Sequence, residues 1–200
     1  MSKSARNKNA RKTNALTQRQ IPWGGIAFYT VIGLVAVVAI GFTFMQTRSS
    51  ADSTSVAGLV TKDDLGRDHV SRTVAYDTAP PMGGDHDPVW QNCDGRVYDA
   101  PLRNENAVHS LEHGAVWITY RPGLAAAQLD ALKLKVTGAD YTMLSPYPSQ
   151  DAPIKLTAWG NQLTPDDASD PRVDAFLRGF VKGPQTPEPG AACDGAKDTP

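Results

Sequence analysis

From Ile21 to Gln46 the chain carries no charged residue, running through Gly25-Ile-Ala-Phe-Tyr-Thr-Val-Ile-Gly-Leu-Val-Ala-Val-Val-Ala-Ile-Gly-Phe-Thr-Phe-Met45. No other feature of the sequence restricts the fold as strongly. An α-helix rises about 1.5 Å per residue and about 20 apolar residues cross the hydrocarbon of a bilayer, so the run predicts one transmembrane helix over 21–46. Lys3, Arg6, Lys8, Arg11, Lys12 and Arg19 precede it with no acidic residue among them, and only Arg48 follows closely. By the positive-inside bias, residues 1–20 form a basic cytoplasmic tail and everything after the span lies outside. The expected location is therefore a single pass through the cytoplasmic membrane, with the lipid bilayer as the first partner. A cleavable signal peptide fits less well, because the run is longer than a signal core and Phe44-Met-Gln-Thr-Arg-Ser-Ser-Ala51 is a poor small-x-small site.

All 21 acidic residues lie beyond this run, while six of the 20 basic residues precede it. The part outside is thus acidic, which excludes a nucleic-acid binder; the basic tail is explained by topology and by anionic lipid. Residues 47–66 are rich in Ser, Thr, Ala and Asp and read as a flexible linker. Residues 67–193 are enough for one core, and 194–200 read as a disordered tail. Cys93 and Cys193 both fall on the oxidising side and read as a structural disulfide that pins the Pro/Gly-rich tail. Thiolate metal ligation from either would need that bridge open.

Within 67–193, Val116-Trp-Ile-Thr-Tyr120 is the clearest strand, bounded by Gly114 and by Arg121-Pro-Gly123. Ala125, Leu129, Leu132 and Val136 recur at helical spacing and predict a helix from about Leu124 to Val136. Tyr141 to Leu144 and Ile154 to Trp159 supply two more strands. Asp170 before Pro171 reads as a helix N-cap, Val173, Phe176, Leu177, Phe180 and Val181 as its apolar face, and Gly183-Pro184 as its stop. The order predicts a small α+β domain, a mixed sheet with two covering helices. It also suits the second half of a thioredoxin-like fold, but no Cys-x-x-Cys is present to bring redox activity with it.

All four histidines, His69, His86, His109 and His113, fall in one stretch of this domain, and imidazole is the commonest side-chain metal ligand. The irregular segment Pro80-Pro-Met-Gly-Gly-Asp-His86-Asp87 offers Met82, His86 and Asp87 as donors on a loop whose turns are set by proline and glycine. His109 and His113, four apart, share one face of a single helical turn. Glu105 and Glu112 stand where either carboxylate can orient an imidazole or join the ligand set. Imidazole with the Met82 thioether favours copper, whereas imidazole with carboxylate suits zinc equally. His109-Ser-Leu-Glu-His113 also matches His-x-x-Glu-His, in which Glu112 would be the general base of a zinc hydrolase. Gly114 and the strand that follows at once argue against the sustained helix such a site requires.

Pro80-Pro-Met-Gly-Gly-Asp-His86, the Trp90 to Tyr98 segment and, above all, Glu105-Asn-Ala-Val-His-Ser-Leu-Glu-His-Gly114 followed by a strand and Tyr120-Arg-Pro122 resemble the bacterial family of domain of unknown function 3105, common in actinobacteria. The resemblance covers about Asp68 to Cys193. Many members read Pro-Pro-Thr-Ser-Gly-x-His in the first motif, so Met82 and Gly83 depart from the pattern and Met82 is not carried over as a family ligand. The resemblance implies a single-span membrane protein with this domain outside, and an association with copper handling that puts copper ahead of zinc. The expected function is extracytoplasmic metal handling through His86, His109 and His113, with His69 or Met82 as a fourth donor, and binding is favoured over enzymatic activity. The alternative is an accessory subunit of an envelope or respiratory membrane complex with structural histidines; the zinc hydrolase comes third.

Overall fold

The computed structural model describes residue 29, residues 31–40 and residues 56–200. The chain forms two compact units, Met1–Thr43 and Phe44–Pro200. In the first, the described residues belong to a helix, α1, seen over 31–40. Among the described residues no helix is long and apolar enough to cross a membrane. This corrects the expected transmembrane helix over 21–46, and with it the single-pass location that rested on that span. The basic tail 1–20 and residues 47–55 of the expected linker lie outside the described residues.

The second unit is built on one six-stranded sheet. In chain order its elements are β1 (Val60–Thr61), β2 (Asp94–Val97), α2 (Asn104–Glu112), β3 (Val116–Tyr120), α3 (Ala126–Val136), β4 (Thr142–Pro146), β5 (Ile154–Ala158), β6 (Asn161–Leu163) and α4 (Pro171–Phe180). The sheet order is β1-β6-β5-β3-β4-β2. β4 runs parallel to both β3 and β2, while β3–β5, β5–β6 and β1–β6 are antiparallel. Parallel neighbours need a crossover, and α3 supplies the one from β3 to β4. The α+β mixed sheet is as expected, but three helices cover it instead of two.

Alternation along the central strands sorts two cores. Val116 and Ile118 of β3, Leu144 of β4 and Ile154, Leu156 and Ala158 of β5 meet Leu132 and Val136 of α3 and Val173, Phe176 and Phe180 of α4. On the other side Trp117 and Met143 pack with Val108 and Leu111 of α2 and with the two cysteines. Covered on both faces, the strands read as near-continuous buried runs. α4 starts as the sequence indicates: Pro171 opens it and the Asp170 carboxylate accepts from Arg172 N at 2.8 Å.

α2 has no counterpart in the apolar pattern. Every residue from Glu105 to Glu112 is buried, so the helix shows no polar stripe for periodicity to detect. Where a single turn is expected, two and a half turns form, closed by Gly114 at φ +105. A Cβ at Gly114 would stand 3.1 Å from Lys182 Cα, so glycine permits the close passage that swings the chain from α2 into β3.

Two expected boundaries also move. Val56 belongs to the core and Val60–Thr61 pairs with Gln162 and Asn161, so the fold starts before residue 67. The tail expected to be disordered is tied down. Lys197 bridges Gln91, and the Gln91 side-chain amide donates to Thr199 O at 3.1 Å. Hydrogen bonds to the 90–92 backbone hold it where local composition gives no reason for order.

Candidate metal centre

α2 carries His109 and Glu112, His113 caps its C-terminus, and the loops bring the others to it. The segment after Pro80-Pro81 delivers His86. A short parallel bridge then sets His69 beside it, with Val70 N donating to His86 O at 2.7 Å and His86 N to Asp68 O at 3.0 Å. The rings of His69, His86 and His109 form a nearly equilateral triangle, with centroids 4.9, 4.8 and 4.9 Å apart. One ligand atom from each of these, with one carboxylate oxygen of Glu112, lies within 4.8 Å of all the others.

Backbone carbonyls set the direction of the rings. His86 Nδ1 faces Gly84 O at 2.8 Å, and His109 Nδ1 faces Asp87 O at 2.6 Å. Only an N–H can face a carbonyl, so the Nδ1 proton is assigned in both, and in a neutral ring the lone pair lies on Nε2. His86 Nε2 lies 2.9 Å from Glu112 Oε2, yet neither atom is aligned with a hydrogen-bonding partner. Both are buried. Two states fit this desolvated contact: a doubly protonated His86 paired with the Glu112 carboxylate, which the upward shift of His86 favours, or a neutral His86 whose lone pair and the carboxylate share a bound cation.

The titration behaviour has the same origin. Burial pushes the Glu112 carboxyl up, but the His86 imidazole, with His109 and His69 behind it, outweighs burial and holds it below the usual range. Burial opposes charge on His86 as well, and the Glu112 carboxylate together with the Gly84 carbonyl turns the net shift upward. His109 goes the other way. Burial, reinforced by the His113, His86 and His69 rings, lowers it to about 4 against the pull of the Asp87 carbonyl. At neutral pH the cluster therefore holds one carboxylate and a firmly neutral His109.

The distances suit a first-row metal ion. With bonds of about 2.0–2.1 Å, the 2.9 Å separation of His86 Nε2 and Glu112 Oε2 subtends about 90°, and the 3.6 Å between His69 Nε2 and Glu112 Oε2 about 120°. A regular tetrahedron needs ligand atoms about 3.3 Å apart, so the widest pair closes by about 1.5 Å. His69, with a side chain 46% exposed, is the member with room to move.

The other expected residues are placed differently. His113 stands outside the converging set: its Nδ1 faces Ala192 O at 2.6 Å, its Nε2 lies 3.9 Å from Glu188, and its ring meets that of His109 edge-on. Met82 is buried in its loop, its carbonyl accepting from Gly160 N. Glu105 orients no imidazole; it accepts from Val74 N at 2.9 Å and pairs with Arg103 at 3.1 Å. Asp87 spends its carboxylate on Arg103 and Val89 N, leaving its carbonyl for His109. Cys93 and Cys193 are joined as a disulfide, so neither is a thiolate ligand, and the bridge holds the tail whose Ala192 carbonyl fixes His113.

Three supporting residues give no signal in the sequence. Arg103, at the N-terminus of α2, clamps the His86-Asp87 loop to the helix through Asp87. Trp159 stands edge-on to His86 at 5.9 Å, and Trp90 borders His109 and His113 at 5.7 and 5.1 Å. The indoles wall the cluster with apolar surface, which strengthens every electrostatic interaction inside it.

A family model described as "Protein of unknown function (DUF3105)" matches residues 69–195. The match opens on His69 and takes in the other three histidines, Glu112 and both cysteines. No curated protein and no solved structure matches the chain.

Proposed function

The chain belongs to the DUF3105 family, and from that starting point we propose that its folded domain binds one divalent transition-metal ion through His69, His86, His109 and Glu112, for metal handling instead of catalysis. One observation carries the reading: buried His86 Nε2 and Glu112 Oε2 lie 2.9 Å apart, and apart from each other neither has a partner. Structural histidines have both ring nitrogens satisfied; here the Nδ1 atoms are satisfied and the Nε2 side of the cluster is held open by backbone carbonyls.

The donor set selects the ion. Three imidazoles and a carboxylate, with both cysteines in a disulfide, suit Cu(II) or Zn(II) better than Cu(I), which prefers sulfur. The Irving–Williams order puts Cu(II) first by affinity, so copper stands ahead of zinc. A hydrolase of the His-x-x-Glu-His type needs both histidines as ligands and the glutamate free as a base. In this chain Glu112 sits among the donors and His113 is turned to Glu188, which favours binding.

The test is to strip the full chain with a chelator and titrate Cu(II) and Zn(II) while following stoichiometry and melting temperature. One ion per chain and a rise in melting temperature are expected, both lost in His86→Ala plus His109→Ala. Unchanged melting of the wild type with either ion refutes the proposal.

A further inference from the structure

The four donors are not equivalent, and the difference bears on how an ion would leave. His86 and Glu112 are buried, as is His109, and the two imidazoles are each locked by a backbone carbonyl. His69 is exposed, and among the described residues no backbone carbonyl holds its ring nitrogens. It rides on a strap, residues 66–75, in which no residue is buried. Polar contacts and the rings of the cluster tie that strap down: the backbone pairing with His86, the Asp85 carboxylate on Asp68 N and on Arg72, Glu105 on Val74 N, and the His69 ring against those of His86 and His109. Segments with few apolar contacts and water-accessible hydrogen bonds open at low free-energy cost. Opening this one uncovers a single corner of the centre and leaves both cores packed.

Resting on the metal-binding reading above, we infer that His69 is the exchange position of the centre: an incoming imidazole-class nitrogen donor, such as an exposed histidine of an acceptor protein, takes its place while His86, His109 and Glu112 hold the ion. In the step the bond from His69 Nε2 to the ion breaks and the lone pair of the incoming nitrogen forms the new one. No electron changes hands and the charge of the complex is unchanged. A neutral donor is favoured over an anion, because Glu112 already supplies a carboxylate and Asp85 adds a second one beside the strap.

The experiment loads the full chain with Cu(II), then adds free imidazole while following the visible and electron paramagnetic resonance spectra and the bound stoichiometry. His69→Ala is expected to keep one Cu(II) with affinity weakened on the order of tenfold to a hundredfold, the scale of losing a peripheral support of a metal site. Millimolar imidazole should restore both affinity and spectrum, and the same addition should leave His86→Ala without Cu(II). Transfer to a histidine-containing peptide should be faster from His69→Ala than from the wild type. If His69→Ala loses Cu(II) as completely as His86→Ala and imidazole does not restore it, or if it binds as tightly as the wild type with no spectral response, the exchange role is overturned while metal binding stands. A wild type that takes up no Cu(II) overturns both.

Discussion

Replacing Glu112 by glutamine separates a metal ligand from a structural ion pair, because the two roles predict opposite patterns. Glu112 is buried against His86 at 2.9 Å. If the pair existed to hold the fold, removing one charge would leave the other uncompensated, a loss of about 3–5 kcal/mol. Glutamine here removes the charge while keeping the shape, and the Nδ1–H of His86 is already engaged by Gly84. His86 then sheds any second proton and its Nε2 lone pair accepts from the new amide. The metal-free domain should therefore change by less than about 1 kcal/mol, or roughly 2–4 °C for a domain of this size. With metal the difference reverses. At a free ion concentration 100-fold above Kd, binding to the native state adds about 2.7 kcal/mol to the wild type, roughly 5–10 °C. If glutamine weakens binding about 100-fold, the same concentration adds only about 0.4 kcal/mol. Differential scanning calorimetry with and without Cu(II) or Zn(II) reads both numbers. A metal-free Glu112→Gln protein that melts lower by the equivalent of about 3 kcal/mol, or one that keeps the full metal-induced gain, refutes the ligand assignment.

Other perturbations test the surroundings of the centre. The folded His109, held down to about 4 from an ordinary 6.5, takes up a proton less readily than the unfolded chain. Its contribution to the metal-free domain is thus lost as pH falls from about 6.5 toward 4, and His109→Leu should flatten that part of a melting-temperature profile. The raised value of His86 acts in the opposite sense, adding stability below pH 6.5 that disappears as pH rises through its folded value. His113→Asn should keep the metal stoichiometry of the wild type, measured by elemental analysis after gel filtration; loss of the ion would return His113 to the ligand set. Cys93→Ala plus Cys193→Ala opens a loop with a sequence separation of 100 and should cost about 4–5 kcal/mol in chain-entropy terms, seen as a lower denaturation midpoint. Asp170→Ala removes the side-chain cap of α4 and should cost about 1 kcal/mol by the same measurement.

Where local chemistry decides, sequence and structure agree closely. Val116 to Tyr120 is β-branched and aromatic between turn residues, and forms β3 over those same positions. The apolar spacing from Leu124 to Val136 became α3, starting at Ala126, and Asp170-Pro171 starts α4. Agreement fails where an element owes its existence to its neighbours. β1, β2 and β6 are two to four residues long and largely polar, so only the edges they pair with make them strands. α2 is buried on all sides with polar residues among the apolar ones, which erases the stripe that periodicity needs. The apolar run over 21–46 is a separate departure: hydropathy reports what a segment can do in lipid, and among the described residues no helix is long and apolar enough to cross a membrane.

Four histidines in one acidic stretch were legible as a candidate site, and so was the pairing of the two cysteines. Composition and short-range spacing carry that much, because they show which side chains are present and which share a helix face. Spacing pointed to His109 with His113, four apart on one turn, as the pair facing a common ion. The fold instead turned His113 toward the tail carbonyl of Ala192, put Glu112 beside His109, and brought His69 in from a strap paired with His86. Ring direction depends on which backbone carbonyl each Nδ1 meets, and those carbonyls, at Gly84, Asp87 and Ala192, come from segments that only tertiary packing and the disulfide bring to α2. The residue types were set by the sequence alone; their convergence on one point is a long-range property, decided when the loops closed over the helix.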